Sequence, residues 1–555
     1  MKLFGLTSPI LDSGAIAGWT GGGHGLGHGH GNDRAESAMA TRGKRGITRR
    51  EALKAGAAAA VAATAAPAYR VYAQTGRKTL VYAKNEDIGL LNPFAVNHAV
   101  FEALDNHICE PLVRFDYDTG TFEPVLAESW AIENAGRTWV FRIRRDVKFH
   151  DGSPLTAEDV RATFDRVQKD PKAIRQRVNL GNVERTEVRD AHTVALHTKR
   201  PQAGFLAYIQ SRPPVLSRAV MEKHGIEGEK AMVGTGPYRL AEYRRDEQLV
   251  MERHPHYWGE KAKIDRVIIR PMPDANTRVA ALMAGQVDVA VAIPPFDVKK
   301  LEVRTDLRLL AVRDARIHIL FMNPIVPQFQ DKRVRQAVCH AIDVDGIVRN
   351  VMEGRAYKLS QLVGPTQLLT YDPNLQWHHH NAERARALLA EAGFPNGFDI
   401  DLHVYVSYAE YRPIALAMAE QLGKVGIRAT VQTPEAGVFR NKWFKSEMPL
   451  YMISYGNVAQ DGTAFLYTYF RSGTDPRSKY RNPEVDRLFD EQEGEFDRAR
   501  RTSLLRRTMQ LLKEDAPALP LYNDQYTVGV RNRVVVPKGI PTAGEYMWLW
   551  KMDTA

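Results

Sequence analysis

Residues Glu123 to Val167 read EPVLAESWAIENAGRTWVFRIRRDVKFHDGSPLTAEDVRATFDRV. They predict a strand, a turn and a capped helix, in that order. Thr138 to Ile143 alternates bulky and polar side chains, the period of a half-buried strand. His150-Asp151-Gly152 forms the turn. Thr156 opens the helix: Thr-x-x-Asp has capping-box spacing, and Val160, Phe164 and Val167 recur at the helical interval.

The same logic extends in both directions. Lys78 to Lys84 predicts a short strand, and about Asn97 to Cys109 a helix. Gly234-Thr235-Gly236-Pro237-Tyr238 is a tight turn built from two glycines and a proline. Asp274 starts a helix that ends near Gly285, and Val287-Asp288-Val289 follows as a strand. Arg316 to Asn323 is an apolar strand, and Asp331 to Asp343 a helix. Asn381 caps a helix ending at Gly393, with Ala385, Leu388, Leu389 and Ala392 on its apolar face. Met418 to Val431 reads as helix, turn at Gly426, then strand. Two longer helices lie near Val485–Glu493 and Arg498–Asp515. Short strands alternating with helices make the class α/β. No repeat of solenoid period is present.

The 555 residues suffice for two or more packed lobes. Hydrophobic residues make up 44% and charged residues 25%, and no apolar run beyond the leader is long enough to span a membrane. The formal charge is +11, of which the first 73 residues, with nine basic and four acidic side chains, carry +5. The rest is too dilute for a nucleic-acid footprint, and no basic stripe is interleaved with aromatics. The two cysteines, Cys109 and Cys339, stand in apolar contexts far apart in the chain. They are expected as two buried free thiols, not a disulfide.

The leader has its own signals. Thr48-Arg49-Arg50-Glu51-Ala52-Leu53-Lys54 looks like a twin-arginine export motif, with Ala52 where an aromatic is usual. An Ala-rich apolar segment and two small-residue cleavage patterns, Ala66-Pro67-Ala68 and Val71-Tyr72-Ala73, follow. No cysteine lies near the cut, so no lipid anchor is expected. The Gly/His tract Gly21–Gly31, with His24, His28 and His30, is too Gly-rich to pack and is expected as a disordered extension.

The motifs argue against most enzyme chemistry. The Gly-rich tract has no strand before it and no helix after it, so it is not a phosphate loop. Neither a Gly-x-Ser-x-Gly elbow nor a His-Glu-x-x-His zinc motif occurs. His378-His379-His380 cannot all face one ion on regular backbone and is expected as a solvated loop.

The wording of the opening stretch carries a resemblance. AESW, the strand ending in basic residues, VKFHDGSPLTAEDV and the helix after it resemble the signature of the family 5 solute-binding proteins of ABC importers, the dipeptide-, oligopeptide- and nickel-binding group. Leu91-Asn92-Pro93 stands where the family usually has Leu-Asp-Pro. Gly234–Tyr238, His256-Tyr257-Trp258-Gly259, the D…R..AL..G.VD pattern from Asp274 and DKRVRQAVCHAID from Asp331 continue the match. The resemblance implies a two-lobed, type II clamshell with an extra subdomain in lobe one. Residues 1–73 would be extension and signal peptide, 77–118 and 232–315 lobe one, 119–231 the extra subdomain, 316–521 lobe two, and 522–555 the return to lobe one. It implies no cofactor and no metal, and makes His150-Asp151 a structural turn. The partners would be a small-molecule solute and the permease and ATPase subunits of an inner-membrane importer. The protein would be a periplasmic monomer that binds no nucleic acid.

Clamshell binding needs groups from both lobes. The resemblance places Asp87, Ile88, Gly89, Asn97 and His98 on lobe one. It places Tyr405, Tyr408, Arg412, Tyr455, Asn457, Val458 and Asp461 on lobe two. Peptide binders of the family set an Asp shortly after an aromatic to pair with the peptide's α-ammonium. Here Tyr455 takes the aromatic position and Val458 that of the Asp, with Asp461 three residues on. A buried ammonium without its carboxylate keeps its desolvation cost and loses its bond. An ordinary free-amine peptide is therefore disfavoured. The alternatives within the fold are a di- or oligopeptide, a metal chelate, or a periplasmic chaperone or sensor subunit. A secreted hydrolase is the alternative outside it.

Overall fold

The computed structural model describes residues 77–555 apart from 87–88, 95–103, 105, 117–120, 171–172, 174–176, 178–179, 211–212, 366, 368, 406–409, 457–461, 476 and 538–546. The leader and its Gly/His tract lie outside the described residues.

An eleven-stranded sheet runs through both lobes. At the lobe-two end, Phe398–Val404 pairs in parallel with Ile427–Gln432 and with Leu450–Gly456. At the lobe-one end, Thr79–Lys84 pairs in parallel with Arg266–Pro271 and Val289–Ala290. Two long antiparallel strands join the halves: a first crossing strand, Leu307–Met322, and a second, Ala518–Arg531. Their register slips between Arg313 and Ile317, which marks the passage from lobe to lobe. The second strand changes core along its length. Leu519, Leu521 and Tyr522 pack in lobe two with Val338, Leu388 and Met418. Val528 and Val530 pack in lobe one with Leu80, Tyr82 and Met251.

The opening stretch folds as read. Thr138–Ile143 is a strand of a four-stranded antiparallel sheet, but it is buried on both faces rather than half-buried, with Arg142 alone exposed. The helix is Ala157–Lys169. The Asp159 carboxylate accepts the Thr156 backbone N–H at 2.9 Å and its hydroxyl at 2.7 Å, and Val160, Phe164 and Val167 are buried. These side chains share one continuous core with lobe one. Each contributes about 1.5–3 kcal/mol by burial.

One carboxylate ties two of the sequence landmarks together. Glu110 accepts from the Thr235 hydroxyl at 2.8 Å, the Tyr257 hydroxyl at 2.6 Å and the Trp258 indole N–H at 2.9 Å. Gly234 and Gly236 are required by close approach. A Cβ on either would run into the His107–Ile108 backbone, where Gly236 N–H donates to the Ile108 carbonyl at 3.0 Å. His150 locks the same turn: Nε2 lies 3.0 Å from the Gly236 carbonyl, and Nδ1 accepts the Gly234 N–H at 3.3 Å. Burial pushes its pKa down to about 4. The neutral ring is a structural bolt, and Asp151 beside it accepts from Ser153, closing the turn.

Some element bounds differ from the sequence reading. The first crossing strand begins at Leu307, not Arg316: Arg313 and Asp314 separate the short apolar run Leu309–Val312 from the one after Arg316, and the strand continues through them. The helix expected from Met418 begins at Tyr411; Pro413 sits in its first turn, where a missing N–H costs little. The strand expected at 287–289 is Val289–Ala290. Asp288 enters the ladder through its side chain, accepting the Val81 N–H at 2.8 Å and pairing with Arg533 at 2.6 Å. Cys109 ends a turn rather than a helix. Both cysteines are buried, and they form no disulfide with each other.

Candidate binding cleft

The strand directions locate the cleft. In lobe two, the C-terminal ends of Phe398–Val404 and Leu450–Gly456 share one edge, and Arg316 on the first crossing strand lies opposite Gly456. In lobe one, Val289 and Ala290 pair with Val530 and Gly529, and Ile293 N–H then donates to the Thr527 carbonyl at 2.9 Å. The strand ends of both lobes therefore point at the crossing. In open α/β sheets a crevice of this kind, beyond the carboxyl ends of parallel strands, is where ligands bind. Buried Arg278 holds the lobe-one rim by donating to the carbonyls of Met272 (2.6 Å), Val291 (2.6 Å) and Ala292 (2.8 Å).

Four of the sequence-proposed site residues are described. Gly89 adopts φ +62°, and its carbonyl accepts the Tyr243 hydroxyl. Tyr405 follows the strand Phe398–Val404 and packs its ring 5.4 Å from Phe439. Tyr455 lies opposite Ile317, with Asn523 on that residue's other side. Its ring packs 4.8 Å from Phe465 and 5.9 Å from Tyr469, so much of it belongs to the lobe-two core. Arg412 is exposed on the first turn of the helix Tyr411–Gly423. Asp87, Ile88, Asn97, His98, Tyr408, Asn457, Val458 and Asp461 lie outside the described residues.

The crossing carries a polar group that the sequence reading missed. His318 is fully buried and lies flat on Tyr522, with centroids 4.3 Å apart. Its Nε2 is 2.8 Å from the Asp524 carboxylate and its Nδ1 is 2.8 Å from the Tyr411 hydroxyl. Tyr411 opens its helix, so this chain of bonds fixes the helix start against both crossing strands. Glu410, at the N-cap of that helix, makes no side-chain capping bond. Burial first, and then the Asp524 charge, hold its carboxyl above the usual range; its own backbone N–H, His318 and Arg316 pull the other way.

The lobes also touch away from the crossing. Ala203 N–H donates to the Glu493 carbonyl at 2.8 Å. Arg200 donates to the Tyr467 hydroxyl at 3.0 Å. The Phe496 ring packs on Gly136 and 6.3 Å from Trp139. Among the described residues no group of three or more His, Cys, Asp or Glu is arranged to hold a metal ion. His340, His378 and His380 each engage a backbone carbonyl, and burial pushes His378 down to about 4.

Residues 121–476 match the family model for bacterial extracellular solute-binding proteins, family 5. The chain belongs to that family. This family 5 protein is 28% identical over 500 residues to the dipeptide-binding protein of Escherichia coli K12, covering 84% of this chain and 93% of that one. It is 29% identical over 458 residues to the glutathione-binding protein of the same strain, covering 80% and 88%. A solved structure of NikA from Brucella suis, in complex with Fe(III)-EDTA, superposes with a TM-score of 0.78 at 23% identity, covering 86% of this chain and 100% of that one. The family 5 protein thus has the two-lobed, type II binding-protein fold and is the solute-binding component of an ABC importer. Among the described residues no helix is long and apolar enough to cross a membrane.

Proposed function

We propose that this protein captures a small organic solute in the periplasm by closure of its two lobes and delivers it to the permease and ATPase subunits of an inner-membrane importer. The observation that carries this reading is the convergence of both lobes' strand ends on the crossing strands. Such a crevice encloses its ligand, and ligand favours closure by its differential affinity for the closed form. The protein does no bond chemistry and acts as a monomer. Export follows the twin-arginine route, on the strength of Arg49, Arg50 and the Ala-rich segment after them. The solute is not held as an ordinary peptide through its α-ammonium at the loop after Tyr455, where Val458 replaces the carboxylate.

Native mass spectrometry of protein purified gently from the periplasm tests this. A small molecule released on denaturation is the expected result. Turnover of an ester or peptide panel would overturn the reading. Changing Arg49 and Arg50 to Lys should abolish periplasmic yield; normal yield would rule out the twin-arginine route.

A further inference from the structure

We propose that the back of the crossing carries a second binding site, separate from the cleft, for a small organic carboxylate, and that Arg355 is its anchor.

The two faces of the second crossing strand lead to different places. Asp524 and Tyr526 share one face. Asp524 meets His318, which Tyr411 bonds at the start of its helix on the lobe-two rim. Tyr526 packs on the same lobe-one core as Tyr243, whose hydroxyl reaches Gly89. Gln525, Thr527 and Gly529 share the opposite face. In register with them on the first crossing strand are Arg313, Ala311 and Leu309. A cavity of about 460 Å³ opens on this second face, a size that suits a small molecule. Its floor includes Leu309, Ala311, Gln525 and Thr527. One wall is the lobe-one helix Pro295–Glu302, through Val298 and Leu301; another is Arg355 of lobe two, just before the strand Ala356–Lys358.

Arg355 is provided for differently from the other arginines inside the fold. Its side chain is 18% exposed, and its Nε is buried with no partner. The Glu302 carboxylate is 3.6 Å from its terminal nitrogen, beyond hydrogen-bonding distance, and Glu302 is itself exposed. Arg278, by contrast, donates to the carbonyls of Met272, Val291 and Ala292, and Arg335 to those of Phe329, Gln330 and Asp515. A guanidinium without such bonds keeps its donors for a carboxylate, which it can grip with two parallel bonds. Thr527 sets a hydroxyl on the floor beside Ala311, and Gln525 is held there by donating to the Tyr357 hydroxyl at 3.2 Å. The charged residues of the lining are Arg308 and Arg355 against Glu302, so the balance favours an anion. Val298, Leu301 and Leu309 give its hydrocarbon part an apolar surface. Glu302 then acts as a weak occupant of Arg355 that a better-placed carboxylate displaces.

The test uses full-length mature protein titrated with acetate, butyrate and benzoate, and with their neutral counterparts acetamide, butyramide and benzamide. Ligand-observed NMR finds binders and calorimetry measures them. The expected result is that at least one carboxylate binds with a Kd of about 1 mM or tighter and its amide does not. Arg355→Gln should weaken that carboxylate at least about 10-fold. Glu302→Gln, which removes the competing carboxylate, should strengthen it about 2–5-fold. Ala311→Phe fills the floor from an exposed position and should abolish binding. It reads the same site without touching Arg355, so misfolding of one variant does not decide the result. Equal binding of the amides, or affinity unchanged in both Arg355→Gln and Ala311→Phe, would overturn the site, the latter by placing the carboxylate elsewhere, as in the cleft. No binding of any carboxylate at about 10 mM would overturn it as well. The solute-binding reading of the cleft stands in each case.

Discussion

Two glutamates in this protein have raised pKa values for the same first reason, burial, and are treated in opposite ways. Glu110 is sealed in lobe one and receives three hydrogen bonds, from Thr235, Tyr257 and Trp258. Glu410 is half-buried at the start of the helix Tyr411–Gly423, with no side-chain donor among the described residues and with Asp524 for a neighbour. The first is a structural joint, since each donor comes from a segment distant from Glu110 in the chain. The second joins no other segment among the described residues. A buried carboxylate that the fold satisfies is there for the fold. One that receives no side-chain donor among the described residues carries a burial cost without making a joint.

The largest expected effect comes from breaking the joint. Glu110→Ala leaves one buried donor, Thr235, and two half-buried ones, Tyr257 and Trp258, without their acceptor and should cost about 3 kcal/mol in urea unfolding. A loss under about 1 kcal/mol would show that the three segments hold together without it and would dissolve the contrast. Next comes Gly234→Ala, which forces a methyl group into the His107–Ile108 backbone beside the same joint. It should cost about 2–3 kcal/mol. A neutral outcome would mean that the turn has room to move.

His150, beside the Glu110 joint, and Glu410 should answer pH with opposite signs. His150 has its pKa lowered from 6.5 to about 4, so its contribution is full above pH 6.5 and is lost as pH falls through 4. That is about 3 kcal/mol. Glu410 has its pKa raised above 4.5, so its contribution is full below pH 4.5 and is lost as pH rises through its folded value. Stability measured from pH 7 to 4 should fall in wild type, fall less steeply in His150→Gln, and fall more steeply in Glu410→Gln. Parallel curves for all three would refute the assignment. The smallest effect is Glu410→Gln at neutral pH, which should move unfolding by less than about 0.5 kcal/mol. A loss near that of Glu110→Ala would make Glu410 structural after all.

The parts legible in the sequence were those set by local rules. Thr156 and Asp159 announce a helix start because a capping residue and its partner lie one turn apart. Gly234 and Gly236 announce a turn, although only the fold shows that His107 and Ile108 are what press on them. Asn381 and Gly393 bracket their helix as expected. The group at the crossing was not legible. His318, Tyr411 and Asp524 are ordinary residues in their own neighbourhoods, and their association depends on two strands and a helix meeting from distant parts of the chain. Glu410 carries no local signal either; its raised pKa depends on burial and on Asp524, which is distant in the chain. Tyr455 was chosen by resemblance; its ring packs on Phe465, and it lies opposite Ile317 on the first crossing strand.

The second crossing strand has a consequence for how the chain is made. It lies between the first crossing strand and Val289–Ala290, so without it the eleven-stranded sheet is two separate halves, each with an open edge. A ribosome adding about 5–20 residues per second needs on the order of 10–40 s to travel from the first crossing strand to the second. For that interval the nascent protein exposes unpaired edges of the kind that recruit other chains. The geometry that allows two lobes to swing about a common pair of strands also makes synthesis a period of risk, and chaperone protection during that period should raise the yield more than any single stabilising substitution.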